Sequence, residues 1–229
     1  MKTAILVDGG YYRKVALKAF GLKSPKESAH ELYTYCFNHL NEKYAKKNHA
    51  KHELYRIFYY DCPPLDSNIY NPITKKQEFF GKSETGKWMN EFLKELTKKR
   101  KVALRLGELL SYETKYLLKP QSLNKLMNKE ITIDDLTYDD IYLSTRQKGV
   151  DMKIGVDIAT LSLKKQVNQI VLIAGDSDFV PAAKLARREG IDFILDPLGR
   201  EVKDNLFEHI DGLRSCDKKL YKNKNFEEN

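Results

Sequence analysis

Two aspartates follow directly after an apolar run in the last third of the sequence. Ile170–Ala174 is typical of a buried strand, and Asp176 and Asp178 come just beyond it. A second apolar run, Thr3–Val7, ends in the same way on Asp8. The carboxyl ends of parallel strands meet at one edge of a sheet, where open α/β sheets bind their ligands. Hard divalent cations prefer carboxylate oxygens, so this spacing predicts a site for Mg²⁺ or Mn²⁺.

Two further aspartates lie in the segment before that strand. The pattern predicts a helix from Val150 to Lys164, with Asp151 in its first turn and Asp157 within its apolar stripe. A carboxylate among apolar side chains costs free energy unless a cation or a hydrogen-bonded partner neutralises it. Asp151 either faces the site or complements the helix dipole.

Each strand-end acid also has an ordinary structural explanation. Asp8 could cap a following helix, and Asp178 or Ser177 could cap a helix from Phe179 to Arg188. Asp176 comes directly after the strand and its glycine, so it is the stronger candidate ligand of the pair.

No other catalytic apparatus is evident in the sequence. It has no GxSxG, HExxH or P-loop motif. The five histidines fall on helices or basic segments and are predicted to be surface residues. Asp61 also ends a strand, but the two prolines that follow closely favour a role in a turn.

Strand and helix patterns alternate along the chain, which predicts an α/β fold with a mostly parallel sheet and helices on both faces. The first helix is predicted to begin at the capping box Ser24–Glu27. Later strands are predicted at Glu53–Tyr60, Val102–Leu110 and Asp192–Leu195, and a last helix at Glu201–Leu213. Residues 111–146 break this rhythm and predict a β-containing insertion. The expected organisation is one domain over 1–214 and a basic tail over 215–229.

The bulk composition sets the class of partner. Of 229 residues, 40 are Lys or Arg and 32 are Asp or Glu, giving a net charge of +8. The basic excess concentrates in three clusters, Lys43–His52, Lys94–Lys101 and Lys218–Lys224. Together with an acidic crevice, it suits a polyanionic substrate. Three widely spaced cysteines, no apolar run long enough to cross a bilayer and no signal peptide favour a cytoplasmic protein.

Three segments together resemble a known family. VDGGYY at 7–12, QKGVDMKIGVDIATLSL at 147–163 and VLIAGDSDFVPAAKLARREG at 171–190 are similar to the NYN domain of bacterial LabA-like proteins, within the PIN-like nuclease superfamily. The resemblance implies a three-layer, Rossmann-like PIN fold and metal-dependent RNA cleavage. It implies a set of catalytic acids at matching positions: Asp8, Asp151, Asp157, Asp176 and Asp178. Many relatives carry Asn where this chain has Tyr11.

The leading hypothesis is a Mg²⁺- or Mn²⁺-dependent endoribonuclease. Metal ligation is assigned to four of the acids: Asp8, Asp151, Asp157 and Asp176. A bound cation would lower the pKa of a coordinated water and stabilise the leaving oxygen. Arg13 and Lys148 are predicted to hold the scissile phosphate, and Tyr11 or Tyr12 to stack on a base.

Rival hypotheses differ in class. A non-catalytic module would bind RNA or a protein and keep the acidic pocket as a structural metal site. A HAD-type phosphatase is disfavoured by Gly10 where a second acid is needed, and a TOPRIM enzyme by Asp8 where a glutamate is needed. RNA is the expected partner, with DNA and a homodimer left open and no membrane partner expected.

Overall fold

The computed structural model describes residues 1–41 and 52–217. The basic clusters predicted at 43–52 and 218–224 therefore lie outside the described residues, apart from His52. The chain divides into two compact units. The first takes its residues from 1–61, 91–107 and 149 onwards, and the second from 62–90 and 108–148. A single domain over 1–214 with an insertion stays a prediction.

The helices and strands are labelled in chain order. The strands are β1 (Lys2–Asp8), β2 (Glu53–Asp61), β3 (Asn68–Asn71), β4 (Lys76–Phe79), β5 (Val102–Leu106), β6 (Glu108–Leu109), β7 (Lys115–Leu118), β8 (Ile141–Ser144), β9 (Gln147–Lys148), β10 (Gln169–Ile173), β11 (Asp192–Asp196) and β12 (Gly212–Leu213). The helices are α1 (Gly9–Phe20), α2 (Pro25–Asn38), α3 (Glu84–Thr97), α4 (Pro120–Met127), α5 (Val150–Leu163), α6 (Val180–Arg188) and α7 (Asp204–Phe207).

The first unit is built on a six-stranded sheet in the order β12-β11-β10-β1-β2-β5. Every neighbouring pair is parallel, which confirms the predicted α/β class and makes this sheet wholly parallel. From β1 the chain adds β2 and β5 on one side, whereas β10, β11 and β12 extend the other side. Right-handed crossovers that run in opposite directions place helices on opposite faces. The strand order therefore reverses between β1 and β10, and such a reversal opens a crevice at the carboxyl edge.

The core of this sheet follows from its sequence pattern. Central strands of a parallel sheet are covered on both faces and read as continuous apolar runs. Residues 4–7 of β1 and 170–173 of β10 are fully buried. The burial of these two strands fixes the position of the polar residues that follow them.

Two helix predictions need correction. The first helix begins at Gly9 and not at Ser24, because the Asp8 side chain accepts a hydrogen bond from the Tyr11 backbone and caps α1. The capping box at Ser24 is present, and it begins α2. The helix predicted over 201–213 is limited to Asp204–Phe207, and the chain then enters β12.

The second unit contains three short antiparallel pairs, β3–β4, β6–β9 and β7–β8, together with α4. The β-containing character predicted for 111–146 agrees with β7 and β8. The β3–β4 hairpin, which turns after Asn71, was not among the predicted strands. Asn71 stabilises this turn by accepting from the Ile73 and Thr74 backbone N–H groups. No helix within the described residues has the length and apolar composition to span a bilayer.

Candidate functional site

Four adjacent strands of the parallel sheet end on or just before an aspartate. In sheet order these are Asp196 at the end of β11, Asp176 after β10, Asp8 at the end of β1 and Asp61 at the end of β2. Asp196 and Asp61 are buried, whereas Asp176 is exposed and Asp8 is half-buried. The two outer acids are therefore enclosed, and the two acids that flank the crevice between β1 and β10 remain open to a ligand.

Asp196 is enclosed by a polar network. Its carboxylate accepts hydrogen bonds from the hydroxyls of Tyr35 and Ser215 and from the Leu198 backbone N–H at 2.7 Å. His39 Nε2 lies 2.9 Å from Asp196 Oδ2, and both side chains are fully buried. The prediction that the histidines are surface residues is therefore wrong for His39, because α2 turns its ring toward a strand-end carboxylate.

Asp61 forms a buried ion pair. Its carboxylate accepts two hydrogen bonds from the Arg13 guanidinium, at 2.9 and 3.0 Å, and one from the Tyr59 hydroxyl at 2.8 Å. A Cβ on Gly9 would lie 2.6 Å from Asp61 Oδ2 and 2.4 Å from Tyr59 Cζ. Only glycine therefore fits at the start of α1. The predicted phosphate contact of Arg13 needs correction, since its guanidinium is occupied by Asp61.

Asp8 combines a structural and a chemical role. One carboxylate oxygen, Oδ1, accepts from the Tyr11 backbone N–H at 3.1 Å, which holds the side chain at the mouth of the crevice. Burial raises its pKa to about 6, and the carboxylates of Asp151 and Asp61 act in the same direction. A cation bound beside this carboxylate would offset both its desolvation and the nearby negative charge.

Asp176 is held in the same way. Its Oδ1 accepts from the Asp178 backbone N–H at 3.1 Å. The capping role predicted for Asp178 therefore belongs to Asp176, and both Asp176 and Asp178 are exposed. Asp151, in the first turn of α5, has a raised pKa because of burial and because of the charges of Asp176 and Asp178. Asp8, Asp151, Asp176 and Asp178 thus form one electrostatically coupled group, the acidic cluster.

The donor chemistry of the acidic cluster fits a hard divalent cation. All four members are carboxylates, which Mg²⁺ and Mn²⁺ prefer over nitrogen or sulfur ligands. Asp8 and Asp176 each commit one oxygen to a backbone N–H and keep the other. Within the described residues, no three His, Cys, Asp or Glu side chains converge closely enough to form a ready-made metal site.

Asp157 is paired within the protein. Its Oδ2 accepts from Arg105 Nε at 3.0 Å and from the Tyr60 hydroxyl at 2.8 Å. Of the two alternatives left open by the sequence, a cation or a hydrogen-bonded partner, the structure contains the second, and the metal-ligand role assigned to Asp157 stays a prediction. Arg105 is the charged residue in an otherwise apolar strand, and Asp157 is a charged residue within an apolar helix stripe. Two opposite charges at positions that should be apolar are the sequence signal that could have predicted the pair. The two contacts tie α5, which carries Asp151 in its first turn, to β5 and β2.

Tyr11 spans the crevice. Its hydroxyl donates to the Pro197 carbonyl at 2.6 Å, and its ring lies where a Cβ on Gly175 would be, at 2.4 Å from Cε2. The residue therefore links the end of β1 to the residue before Asp176. Tyr12 is only 4% exposed and packs against Tyr35. The prediction that Tyr12 stacks on a base needs correction, because its ring lies in the core.

Arg200 was not predicted as a site residue. It follows a tight turn after β11 in which Leu198 and Gly199 have φ values of 53° and 75°. Burial raises the pKa of Tyr11, and the nearby Arg200 guanidinium acts in the opposite direction. Arg200 is exposed and forms no ion pair within the part of the chain that the structure describes.

Lys148, predicted to contact phosphate, is an exposed residue of β9 in the second unit.

The six-stranded parallel sheet with helices around it is consistent with a PIN-like α/β fold. Residues 85–203 match the model of the NYN domain, more than half of the 229 residues, so the chain belongs to the NYN family. Membership indicates a nuclease-type function and, in general, action on nucleic acid. The matched segment contains Asp151, Asp176, Asp178 and Arg200, whereas Asp8 lies before it.

Two other comparisons add little. The search of curated proteins found no match. A crystal structure of a protein of unknown function from Vibrio parahaemolyticus is similar to this chain with 14% sequence identity and a TM-score of 0.46, over 95% of this chain and 94% of that one.

Proposed function

We propose that this protein is a Mg²⁺- or Mn²⁺-dependent endoribonuclease of the LabA-like group. The observation that carries the proposal is the pair of open acids, Asp8 and Asp176, on either side of the point where the strand order reverses. Asp151 belongs to the same coupled group. Concentrated negative charge at this edge would repel a phosphodiester unless a cation neutralised it.

Asp8, Asp151 and Asp176 would converge on the cation as it binds, since no three of the described acids form a ready-made site without it, and Asp178 would lie at the rim of the site. A cation bound there supplies an activated water and stabilises charge on the leaving oxygen. The hydrogen bonds from the Tyr11 and Asp178 backbones hold two of the three acids in fixed orientations. Asp157 serves as a positioning residue, since it anchors the helix that carries Asp151.

Arg200 is the group best placed to bind the scissile phosphate. Its charge lies near Tyr11 at the carboxyl edge of the sheet, and no described carboxylate pairs with it. The turn that carries it is held by three hydrogen bonds: from Tyr11 to Pro197, from Leu198 to Asp196 and from Gly199 to Ser215. A rigid cation at this position would orient an anionic substrate.

A cleavage panel tests this function. RNA and DNA of the same sequence, single-stranded and hairpin, with both ends blocked, are incubated with Mn²⁺, Mg²⁺ or EDTA. We expect internal cleavage of RNA with either metal and none with EDTA. Cleavage that persists in EDTA, or products from DNA alone, would contradict the proposal.

A non-catalytic RNA-binding module is the second candidate, and Tyr11 is the observation that favours it. Where many relatives have Asn, this ring packs on Gly175 and its hydroxyl is bound to Pro197, so it offers no amide to a water or a metal. This candidate predicts RNA binding without products at any metal concentration in the same panel.

A further inference from the structure

The outward face of the β3–β4 hairpin carries two large aromatic rings. In its antiparallel register Asn68 lies opposite Phe79 and Tyr70 lies opposite Gln77, so these four side chains share one face. The alternate residues of β3 are buried on the other face. Tyr70 is 53% exposed and Phe79 is 44% exposed. The two rings are diagonal neighbours, at positions typically about 7–8 Å apart in an antiparallel pair.

The Phe79 ring is held in a defined position. A Cβ on Gly81 would lie 2.8 Å from Phe79 Cζ and 2.1 Å from Asp66 Oδ1. The ring and this carboxylate therefore pack directly against a backbone that has no side chain. Lys82 Nζ lies 5.8 Å from the centre of the Phe79 ring. An exposed ring with a fixed orientation loses little entropy when a planar group stacks on it.

The polar groups around these rings suit a nucleotide. Asn68 and Gln77 carry amides, which donate to and accept from base edges. Lys75 and Lys82 are exposed, whereas Lys76 lies opposite Asn71 and so belongs to the other face. Glu78 is engaged on the other face of the hairpin, where it accepts from Asn71 and Tyr116. The Asp66 carboxylate lies beside Gly81, against which the Phe79 ring also packs.

Charge alone does not attract a polyanion to this unit. The segments 62–90 and 108–148 contain ten Lys and Arg and ten Asp and Glu, so the whole excess of +8 belongs to the other unit. Binding at the hairpin must therefore come mainly from stacking and hydrogen bonding.

We propose that this face binds the bases of single-stranded RNA, and we name it the stacking face: Asn68, Tyr70, Gln77, Phe79 and Lys82. Each ring takes one base, since every base offers a π face, and Lys82 meets a phosphate. Bases of a duplex are hidden in their own stack, so the face selects unpaired strands. The choice of RNA rests on the proposed function, whereas the stacking itself does not involve the acidic cluster.

Fluorescence anisotropy in EDTA tests the stacking face without cleavage. The full-length protein and its Tyr70→Leu and Phe79→Leu variants are titrated into labelled oligouridylate, at low and at moderate salt. Leucine keeps an apolar side chain and removes the π face. We expect Kd to rise about tenfold in each variant, the range for one lost base–aromatic stack. The slope of log Kd against log salt should stay unchanged, because no phosphate contact is removed.

Tyr112→Leu is the matched control, since Tyr112 is 76% exposed in the same unit and lies outside the hairpin. Its affinity should equal that of the unaltered protein, as should the affinity of Phe79→Tyr. If both leucine variants bound single-stranded RNA as tightly as the unaltered protein, the proposal would be overturned. The exposed rings would then be better explained as a binding surface for a protein. Because EDTA separates binding from turnover, a protein that binds here but cleaves nothing would contradict only the proposed nuclease function.

Discussion

At the scale of single residues, the acids of the site differ by the partners that they have acquired. Asp61 is buried against the Arg13 guanidinium and Asp196 is buried among hydrogen-bond donors, whereas Asp8 lacks a cationic partner among the contacts described and has a raised pKa. A functional carboxylate of this kind lowers the stability of the metal-free protein.

Asp8→Asn should therefore stabilise the metal-free protein at neutral pH. The pKa of Asp8 in the folded protein, about 6, exceeds the ordinary value of 3.8. Ionisation of Asp8 therefore costs the folded state free energy, and this cost is absent below about pH 3.8 and complete above about pH 6. We expect a gain of about 1–2 kcal/mol near pH 7.5 and almost none near pH 3.5, after allowance for partial exposure. Urea unfolding at both pH values in EDTA measures the change in the free energy of unfolding. An equal change at both pH values would contradict the view that it arises from the raised pKa of Asp8.

Arg200 provides a second test at this scale. Arg200→Ala should lower kcat/KM for RNA about 10- to 100-fold, the range for loss of one charged hydrogen bond. Arg188→Ala, at an exposed arginine of α6, is the matched control and should leave kcat/KM within about twofold. Equal activity of both variants would remove Arg200 from the site.

Asp157 separates positioning from ligation. Asp157→Ala leaves Arg105 and the Tyr60 hydroxyl without their acceptor and should lower the free energy of unfolding by about 1–3 kcal/mol. Asp157→Asn keeps an acceptor oxygen, so it should retain most of the stability and measurable cleavage. If Asp157→Asn abolished cleavage without any loss of stability, the residue would be a metal ligand, as the sequence resemblance implied.

At the scale of elements, two helical glycines have opposite surroundings. Gly9 begins α1 against Tyr59 and Asp61, whereas Gly155 in α5 has no atom within 4 Å of an added Cβ. Gly155→Ala should stabilise the protein by about 0.5–1 kcal/mol through helix propensity. Gly9→Ala should destabilise it by about 1–3 kcal/mol through overpacking.

Chemical denaturation of the two alanine variants measures both effects in parallel. If Gly9→Ala were as stable as Gly155→Ala, β2 could not lie as close to the start of α1 as the structure has it. The position of Asp8, which precedes Gly9, would then also be incorrect.

The elements that the sequence predicted well are those in which pattern and burial agree. The runs before Asp8 and Asp176 became β1 and β10 because a central parallel strand must be apolar on both faces. The start of α1 was predicted only through the alternative in which Asp8 caps a following helix. Two consecutive glycines favour a turn by themselves, and only the close packing of Tyr59 shows why the helix requires glycine at position 9. The short α7 shows the opposite error, since helical spacing over 201–213 did not reveal that the chain joins β11 as β12.

The sequence indicated the acids of the candidate site better than it indicated their partners. The charges of Asp8, Asp151, Asp176 and Asp178 interact in the structure, and their roles in catalysis stay a prediction. The pairing of Arg13 with Asp61 was not predicted. The two residues are distant in sequence, and a single sequence contains no pattern that indicates such a contact.

At the scale of the whole molecule, the net positive charge and the stacking face belong to different units. All of the net positive charge belongs to the unit that carries the acidic cluster, and the stacking face belongs to the unit with no net charge. Electrostatic attraction and base stacking should thus contribute to RNA affinity independently, the first sensitive to salt and the second not.

The most direct test of the central claim is Mn²⁺-dependent cleavage of end-blocked RNA by the unaltered protein, Asp8→Asn, Asp176→Asn and the surface control Asp139→Asn. Our account predicts that each cluster substitution abolishes internal cleavage in a protein that still unfolds cooperatively, while Asp139→Asn cleaves at the normal rate. Undiminished cleavage by both Asp8→Asn and Asp176→Asn would contradict it.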